Sequence, residues 1–214
     1  MGLDIYFYRV KANQVVDDNA GNVYEKINKD AKKAFSRRVT KWLKILKDAR
    51  KSADENNDPN AYIIVYKLVT LNMLKHPFFR AYPFYADKFN EKVLTIDEFK
   101  EAIDYHREHF FAIEDAYFRK VNFIYEYFND RIDHDNEMCL TDKEDIINLI
   151  AKCDEVIKDN DKASLILPTR SGFFFGSTDY NDWYYSDVKD CKTQMKALLK
   201  KVKEGDKILV YFSW

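Results

Sequence analysis

The stretch that decides the fold is LDIYFYRV, residues 3–10. Its aromatic and β-branched side chains favour a β-strand. A second stretch of this kind, KILVYFSW, spans 207–214 and follows a turn signal. Because both stretches have the character of strands, we expect them to share one small sheet. We also predict two central strands for this sheet, ASLILP at 163–168 and GFFF at 172–175.

Most of the remaining sequence has the periodicity of helices. Apolar residues recur at helical spacing in 28–52, 142–158 and 187–203. The stretch 61–75 is ambiguous, because its β-branched start is typical of a strand. Its length and its continuation to Pro77 favour a buried helix, which is the assignment we adopt.

Local signals refine these helices. Thr95 with Glu98, and Thr141 with Glu144, have the spacing of capping boxes at helix starts. The stretch 76–89 contains two prolines among many aromatic residues, and we expect an irregular packed loop there.

Composition supports a folded α+β protein. Of 214 residues, 46% are hydrophobic and 16% aromatic, which is enough apolar surface to bury a core. Five glycines and four prolines are too few for a turn-rich β-sandwich and favour long helices. We predict a single α+β domain over 1–214, in which a small sheet of terminal and central strands packs against several α-helices. A helical insertion or subdomain is expected at 28–110.

The sequence also indicates the cellular compartment of the protein. Its first ten residues lack the basic region and the sustained apolar run of a signal peptide. No segment approaches the roughly 20 apolar residues that span a bilayer. Three cysteines without paired spacing indicate reduced thiols. We therefore expect a cytoplasmic protein with no membrane contact.

A first candidate site lies on a predicted helix at 114–130. Asp115, Arg119, Asn122 and Glu126 fall at i, i+4, i+7 and i+11, so they would form one polar stripe. One interpretation is a solvent-exposed ladder with a weak Asp–Arg pair. The other places Arg119 and Asn122 in a cleft, where they would recognise an anion or a polar ligand.

A second candidate site is the segment LPTRSGFFFGSTDYNDWYY at 167–185. Gly172 and Gly176 permit backbone conformations that other residues rarely adopt. On a strand, Phe174 would face away from its two phenylalanine neighbours. The following 177–179 offers capping side chains for a helix, whose N-terminus attracts anions. The segment is either a core strand with a tight turn into a helix or the wall of a binding site.

Three blocks of the sequence resemble a family of uncharacterised bacteriophage and bacterial proteins: MGLDIYFY at 1–8, FRKVNFIYEYF at 118–128 and LPTRSGFFFGSTDYNDWYYSDVKD at 167–190. The resemblance implies a phage or mobile-element context and no particular activity. The segment at about 12–115 has no counterpart in the family pattern. Carried over position by position, the pattern marks Asp4, Arg119, Asn122, Thr169, Gly172, Phe174, Gly176, Ser177, Tyr180 and Asp187.

Charge and histidine patterns suggest further partners. Residues 29–51 carry ten Lys or Arg and two Asp, in a chain of net charge −1. This helix is either a solvated face or a docking surface for an acidic host protein. Nucleic acid is not favoured, given a pI near 6.4. His106 and His109 have metal-ligand spacing, with 133–139 as the source of further ligands, but we predict no metal and no cofactor.

Three functions follow from these patterns. We expect a non-enzymatic protein that binds a small anionic or planar ligand, or a host protein. The predicted ligand-binding residues are Arg119, Asn122, Thr169, Gly172, Phe174, Gly176, Ser177, Tyr180 and Asp187. The first alternative is a hydrolase or transferase acting on a phosphate-bearing substrate, with Asp4, Arg119 and Asp187 in its site. The second is a structural or oligomeric module without a ligand.

Overall fold

The computed structural model describes residues 2–81, 86–108 and 110–214, and it has an α+β fold. One antiparallel sheet is formed by β1 Asp4–Val10, β2 Ala116–Arg119, β3 Met138–Thr141 and β4 Lys207–Ser213. The strand order is β2-β1-β4-β3. The first and last strands are therefore neighbours at the centre of the sheet, which confirms the prediction made from their sequences.

The helices are α1 Ala20–Glu55, α2 Pro59–Leu74, α3 Pro77–Ala81, α4 Asp87–Glu91, α5 Ile96–Glu108, α6 Asn122–Phe128, α7 Lys143–Lys158, α8 Ala163–Ile166 and α9 Asp182–Leu199. Short 3-10 turns occur at Ala12–Gln14, Asn129–Arg131 and Asn160–Lys162. The helices predicted at 28–52, 61–75, 142–158 and 187–203 are confirmed. No described helix has the combination of length and apolar character that crossing a bilayer requires.

The chain forms two compact units. The first, called here the α/β unit, comprises Met1–Ile27 and Glu114–Trp214. The second, called here the helical unit, comprises Asn28–Ile113.

The core of the α/β unit lies on one face of the sheet. Ile5 is paired with Phe212, and Phe7 is paired with Val210. All four side chains are buried in a cluster with the apolar faces of α7 and α9. Strand side chains alternate between faces, so this register places one apolar set of each strand against the helices. Cysteines on the apolar stripes of α7 and α9 belong to the same core and are free thiols.

The core of the helical unit is aromatic. Phe35 of α1 stacks on Phe110, with ring centroids 4.6 Å apart, and also contacts Phe78. The predicted capping box at α5 is present, since Thr95 N–H donates to Glu98 and Glu98 N–H donates to the Thr95 hydroxyl. Aromatic rings from several helices therefore form the centre of this core, beside aliphatic side chains.

The predicted helix at 114–130 is confirmed over Asn122–Phe128 and wrong before it. Residues Ala116–Arg119 form β2, which pairs with the edge of β1 and buries Ala116 and Phe118 in alternation. Lys120 then takes a left-handed conformation, with φ +59°, and α6 begins at Asn122. The spacing of the apolar residues in this segment fits the period of a helix and that of a strand. Pairing with β1 selects the strand for its first part. The proposed single stripe of polar side chains does not exist.

The two predicted central strands are also wrong. Residues Ala163–Ile166 form α8, where Leu165 is exposed and Ala163 and Leu167, one helical turn apart, are buried. Residues 172–175 form a turn, closed by the Phe175 N–H donating to the Gly172 carbonyl.

Two smaller expectations also change. The cap of α7 is Asp142, which accepts from the N–H groups of Glu144 and Asp145, so the predicted Thr141–Glu144 box is not formed and the helix begins one residue later than expected. The segment 76–89, expected to be irregular, contains the short helices α3 and α4. Residues 82–85 between them lie outside the described residues.

Candidate functional site

A cleft of about 350 Å³ lies within the α/β unit. One wall is the turn from β2 into α6, and the other is the segment that leads into α9. The lining residues are Arg119, Lys120, Val121, Asn122, Phe123, Gly176, Ser177, Asp179, Asn181, Trp183, Tyr184 and Asp187. The two segments that the sequence marked separately therefore enclose one space.

The first wall presents two cations. The left-handed Lys120 reverses the chain after β2, and its N–H donates to the Leu3 carbonyl at 2.7 Å. Arg119 is exposed, and its Nη1 lies 3.6 Å from Oδ1 of Asp4. Asp4 also accepts a hydrogen bond from the hydroxyl of Tyr117. The Arg119 side chain is 55% exposed, so its guanidinium remains accessible to a ligand from solvent.

Asn122 joins the two walls. Its side chain is 3% exposed, and its Nδ2 donates to the carbonyls of Phe175 at 3.3 Å and Ser177 at 2.8 Å. Gly176 lies between these carbonyls with φ +91°, and a Cβ there would approach the Lys120 carbonyl to 3.3 Å. Asn122 therefore positions the second wall, and Gly176 permits the close approach.

The second wall ends at the N-terminus of α9. Asn181 caps this helix, because its Oδ1 accepts from the N–H groups of Trp183 and Tyr184. The expectation that 177–179 would cap the helix is wrong, since these residues precede its start. The Ser177 hydroxyl instead donates to Asp179 at 2.9 Å within the loop.

Two other predicted site residues, Thr169 and Tyr180, bind the backbone of the second wall through hydrogen bonds. The Thr169 hydroxyl donates to the Thr178 carbonyl, and the Thr169 N–H donates to the Tyr180 hydroxyl. The Tyr184 hydroxyl donates to the Leu167 carbonyl at 2.7 Å, and burial raises the pKa of Tyr184, so it remains a donor. These bonds hold the backbone of 167–180 in place.

Gly172 and Phe174 also act through structure. A Cβ at Gly172 would lie 2.7 Å from the Phe175 ring, and the Phe174 carbonyl accepts from the Leu3 N–H. The three phenylalanines do not alternate as on a strand: Phe175 is buried, whereas Phe173 is 94% exposed.

Of the nine predicted ligand-binding residues, five line the cleft: Arg119, Asn122, Gly176, Ser177 and Asp187. The other four, Thr169, Gly172, Phe174 and Tyr180, lie outside its lining.

Charges of both signs meet in the cleft. Arg119 and Lys120 lie on one wall, and the carboxylates of Asp179 and Asp187 lie on the other. Asp187 is half-buried, and no hydrogen bond or ion pair to its carboxylate is found among the described residues. Burial, and then the nearby Asp190, raise the pKa of Asp187. This carboxyl group therefore holds a proton more readily than an exposed aspartate does.

Sequence reasoning missed four lining residues that carry functional side chains: Lys120, Asp179, Asn181 and Trp183. Trp183 is 80% exposed, which is unusual for the largest apolar side chain. It stands in the aromatic segment that we singled out, so its residue type was a usable signal. Lys120 gave no such signal, because its position depends on a turn inside a segment that we assigned to a helix.

Metal ligation finds little support in the described residues. Within them, no group of three or more His, Cys, Asp or Glu side chains could hold a metal ion. His106 is buried beside Phe79 and Phe89 in the helical unit, and its predicted partner His109 lies outside the described residues.

Comparisons with models of known families, with curated proteins and with solved structures give no match.

Proposed function

We propose that this protein binds a small ligand that carries an anionic group and a planar ring, in the cleft between the β2–α6 turn and α9. The observation that carries the proposal is the juxtaposition of two cations, Arg119 and Lys120, with an exposed indole, Trp183, around one space. The proposal includes a cytoplasmic location and, from the family resemblance, a phage or mobile-element context.

Each wall has a part in binding. The guanidinium of Arg119 offers parallel donors that match a carboxylate or a phosphate, and Lys120 adds a second positive charge. Trp183 offers a flat apolar face on which a ring can stack. Asp187 can accept from a ligand hydroxyl or amine, and it has no described partner of its own to give up.

The experiment is a thermal-shift screen of the whole chain with inorganic phosphate, aromatic carboxylates and nucleoside phosphates. Ligands with both an anion and a ring should stabilise the protein, since binding to the folded state alone raises its stability. We expect Arg119→Ala and Lys120→Ala to lose most of this stabilisation.

The matched control is Lys196→Ala. Lys196 is exposed on the same α9, and its distance from Asp187 is about 13 Å along the helix axis. This variant should respond as the wild type does. Stabilisation that survives in Arg119→Ala, or no stabilisation by any member of the panel, would contradict the proposal.

A second candidate is a hydrolase or transferase that acts on a phosphate-bearing substrate. The specific observation in its favour is Asp187, a carboxyl group of raised pKa in the lining of the same cleft as Arg119 and Lys120, as expected of a proton donor or acceptor. Asp4 is not part of this candidate site, because it is bonded to Tyr117 and Arg119 and does not line the cleft.

Turnover of a substrate distinguishes this enzymatic candidate from a protein that only binds its ligand. A phosphate monoester such as p-nitrophenyl phosphate should be hydrolysed by the wild type. Asp187→Asn should abolish hydrolysis while retaining stabilisation by inorganic phosphate, whose contacts we assign to Arg119 and Lys120. Absence of hydrolysis with stabilisation retained leaves the binding function as the better account. The third expectation, a structural module without a ligand, agrees with the internal bonding of Asn122 but not with the exposed cations around an open cleft.

A further inference from the structure

The helical unit carries an apolar surface that its own fold does not cover. One face of α2 is buried in the aromatic core, yet Ile64, Leu68 and Leu71 on another face are each more than half exposed. They lie at i, i+4 and i+7, so they form one stripe. A helix that is apolar all round is normally buried on all sides, and here one side is open.

This stripe borders a groove between α1 and α2. The groove has a volume of about 540 Å³ and is lined by Arg38, Lys41, Trp42, Ile45, Val65, Leu68, Val69 and Asn72. Each helix contributes four residues at i, i+3, i+4 and i+7. A groove that follows two helical turns, about 10 Å, fits the side chains that one face of a third helix presents.

The floor and rim of the groove differ in chemistry. The floor is formed by the buried Trp42, whose indole N–H donates to Asn72, and by aliphatic side chains. The rim on α1 carries Arg38 and Lys41, both exposed. Among the residues that the structure describes, no acidic side chain lines the groove, and neither Arg38 nor Lys41 has an ion pair. The surrounding α1 segment at 29–51 has ten basic and two acidic residues.

We propose that this groove is a docking site for an acidic amphipathic helix of a partner protein. Apolar side chains of the partner at i, i+4 and i+7 would fill the groove beside Leu68 and Ile45, and its flanking carboxylates would pair with Arg38 and Lys41. The exposed Arg38 and Lys41 on the rim supply the charge complementarity that selects an acidic partner over a basic one.

Charge and shape argue against the other occupants. A second copy of this chain would bring another basic rim to the same groove, and like charges would repel. An anionic membrane matches the charge but is flat, whereas the lining residues surround a concavity. Nucleic acid matches the charge as well, but Trp42 is buried and the other floor residues are aliphatic, so few surfaces remain on which bases could stack.

The test uses the full chain and two labelled helical peptides, measured by fluorescence anisotropy. Both peptides have leucines at i, i+4 and i+7; one carries glutamates on the flanks and the other carries lysines. We expect the acidic peptide to bind at least about tenfold more tightly than the basic one. Leu68→Glu and Lys41→Glu should each weaken its binding by about tenfold or more.

Matched controls separate docking from general changes in charge or apolarity. Leu165→Glu alters a leucine that is 81% exposed in α8 of the other unit, and Lys47→Glu reverses an exposed lysine on α1 outside the groove. Both should bind the acidic peptide as the wild type does. Because Leu68 is 61% exposed, Leu68→Glu should fold, and unchanged circular dichroism and melting temperature confirm it.

Several results would overturn the proposal. Equal binding of the two peptides, or no binding of either, would remove the acidic helix as the occupant. Binding to phosphatidylserine vesicles that Leu68→Glu abolishes, without binding of the acidic peptide, would assign the groove to a membrane surface. A dimer in analytical ultracentrifugation that Leu68→Glu dissociates would assign it to a second copy.

Discussion

The α/β unit and the helical unit achieve their folds by different means. In the α/β unit, residue-by-residue pairing of the strands fixes the positions of the loops between elements. Side chains such as Asn122 and Thr169 then donate hydrogen bonds to the carbonyls of these loops. In the helical unit, aromatic rings around Phe35 fill the space between helices. Hydrogen bonds are directional, and apolar burial is not. The first unit consequently carries a defined polar cleft, and the second carries an uncovered apolar groove.

The largest expected effect comes from removing the central ring of the helical unit. Phe35→Ala deletes a fully buried side chain that contacts Trp42, Phe78 and Phe110. We expect a loss of about 3–5 kcal/mol in the free energy of unfolding, from lost burial and the cavity left behind. Denaturant unfolding measures this loss, and hydrogen exchange should show that protection falls most within 28–113.

Its control is Phe173→Ala, the same substitution at a ring that is 94% exposed. That variant should stay within about 0.5 kcal/mol of the wild type. Comparable losses in the two variants would show that Phe35 is not central to the core of the helical unit.

The next effect tests the directional bonds of the α/β unit. Asn122→Ala leaves the carbonyls of Phe175 and Ser177 without their side-chain donor. We expect destabilisation of about 1–3 kcal/mol, together with faster hydrogen exchange in 175–180. The exposed Asn90→Ala is the control and should change neither quantity. Unchanged exchange in the Asn122 variant would mean that the second wall of the cleft keeps its position without this residue.

A smaller effect distinguishes the observed cap of α7 from the predicted one. Asp142→Ala removes the acceptor for two backbone N–H groups and should cost about 1 kcal/mol. Glu144→Ala, which would break the box expected from the sequence, should cost only a few tenths of a kcal/mol. Thermal unfolding of both variants measures the difference, and the reverse order of costs would restore the predicted box.

The last effect is a dependence of stability on pH in the helical unit, which appears only as the pH is lowered. Burial, and then the charge of Arg38, lower the pKa of His76 to about 4. The unfolded chain takes up this proton near pH 6.5, so protonation favours unfolding. We expect the contribution of His76 to be complete above about pH 6.5 and to disappear as pH falls to about 4.

Comparison with His76→Gln isolates this contribution, because the carboxylates titrate in the variant and in the wild type alike. The difference between their unfolding free energies should shrink through that pH window. His134→Gln, at an exposed histidine of the α/β unit, is the control. A difference that stays constant with pH would contradict the assignment of a neutral, half-buried His76.

How well an element could be predicted from the sequence depended on whether local or distant contacts stabilise it. The terminal strands and the long helices were predicted correctly, because their side chains repeat with the period of the element. The segment at 114–130 was predicted correctly only in its helical part, Asn122–Phe128, since its apolar residues fit a helix and a strand-turn-helix equally well. Pairing of Ala116–Arg119 with β1, across more than a hundred residues of sequence, decided between them.

The candidate site shows the same limit. The sequence singled out both segments of the cleft but assigned binding to residues that act as supports, such as Thr169 and Phe174. It missed Trp183 and Lys120, which border the open space. Residue type indicated that these segments were unusual, and only the backbone path shows which side chains face the cleft.

By itself, the sequence determined the α+β class, the two central strands, the main helices and the basic character of α1. These features follow from local periodicity and composition, which each segment carries alone. The tertiary structure decided that 116–119 is a strand, that 172–175 is a turn and that two distant segments enclose one cleft. It also decided that a stripe of α2 remains uncovered. Such outcomes depend on hydrogen bonds and burial between segments far apart in the chain, and local sequence does not record them.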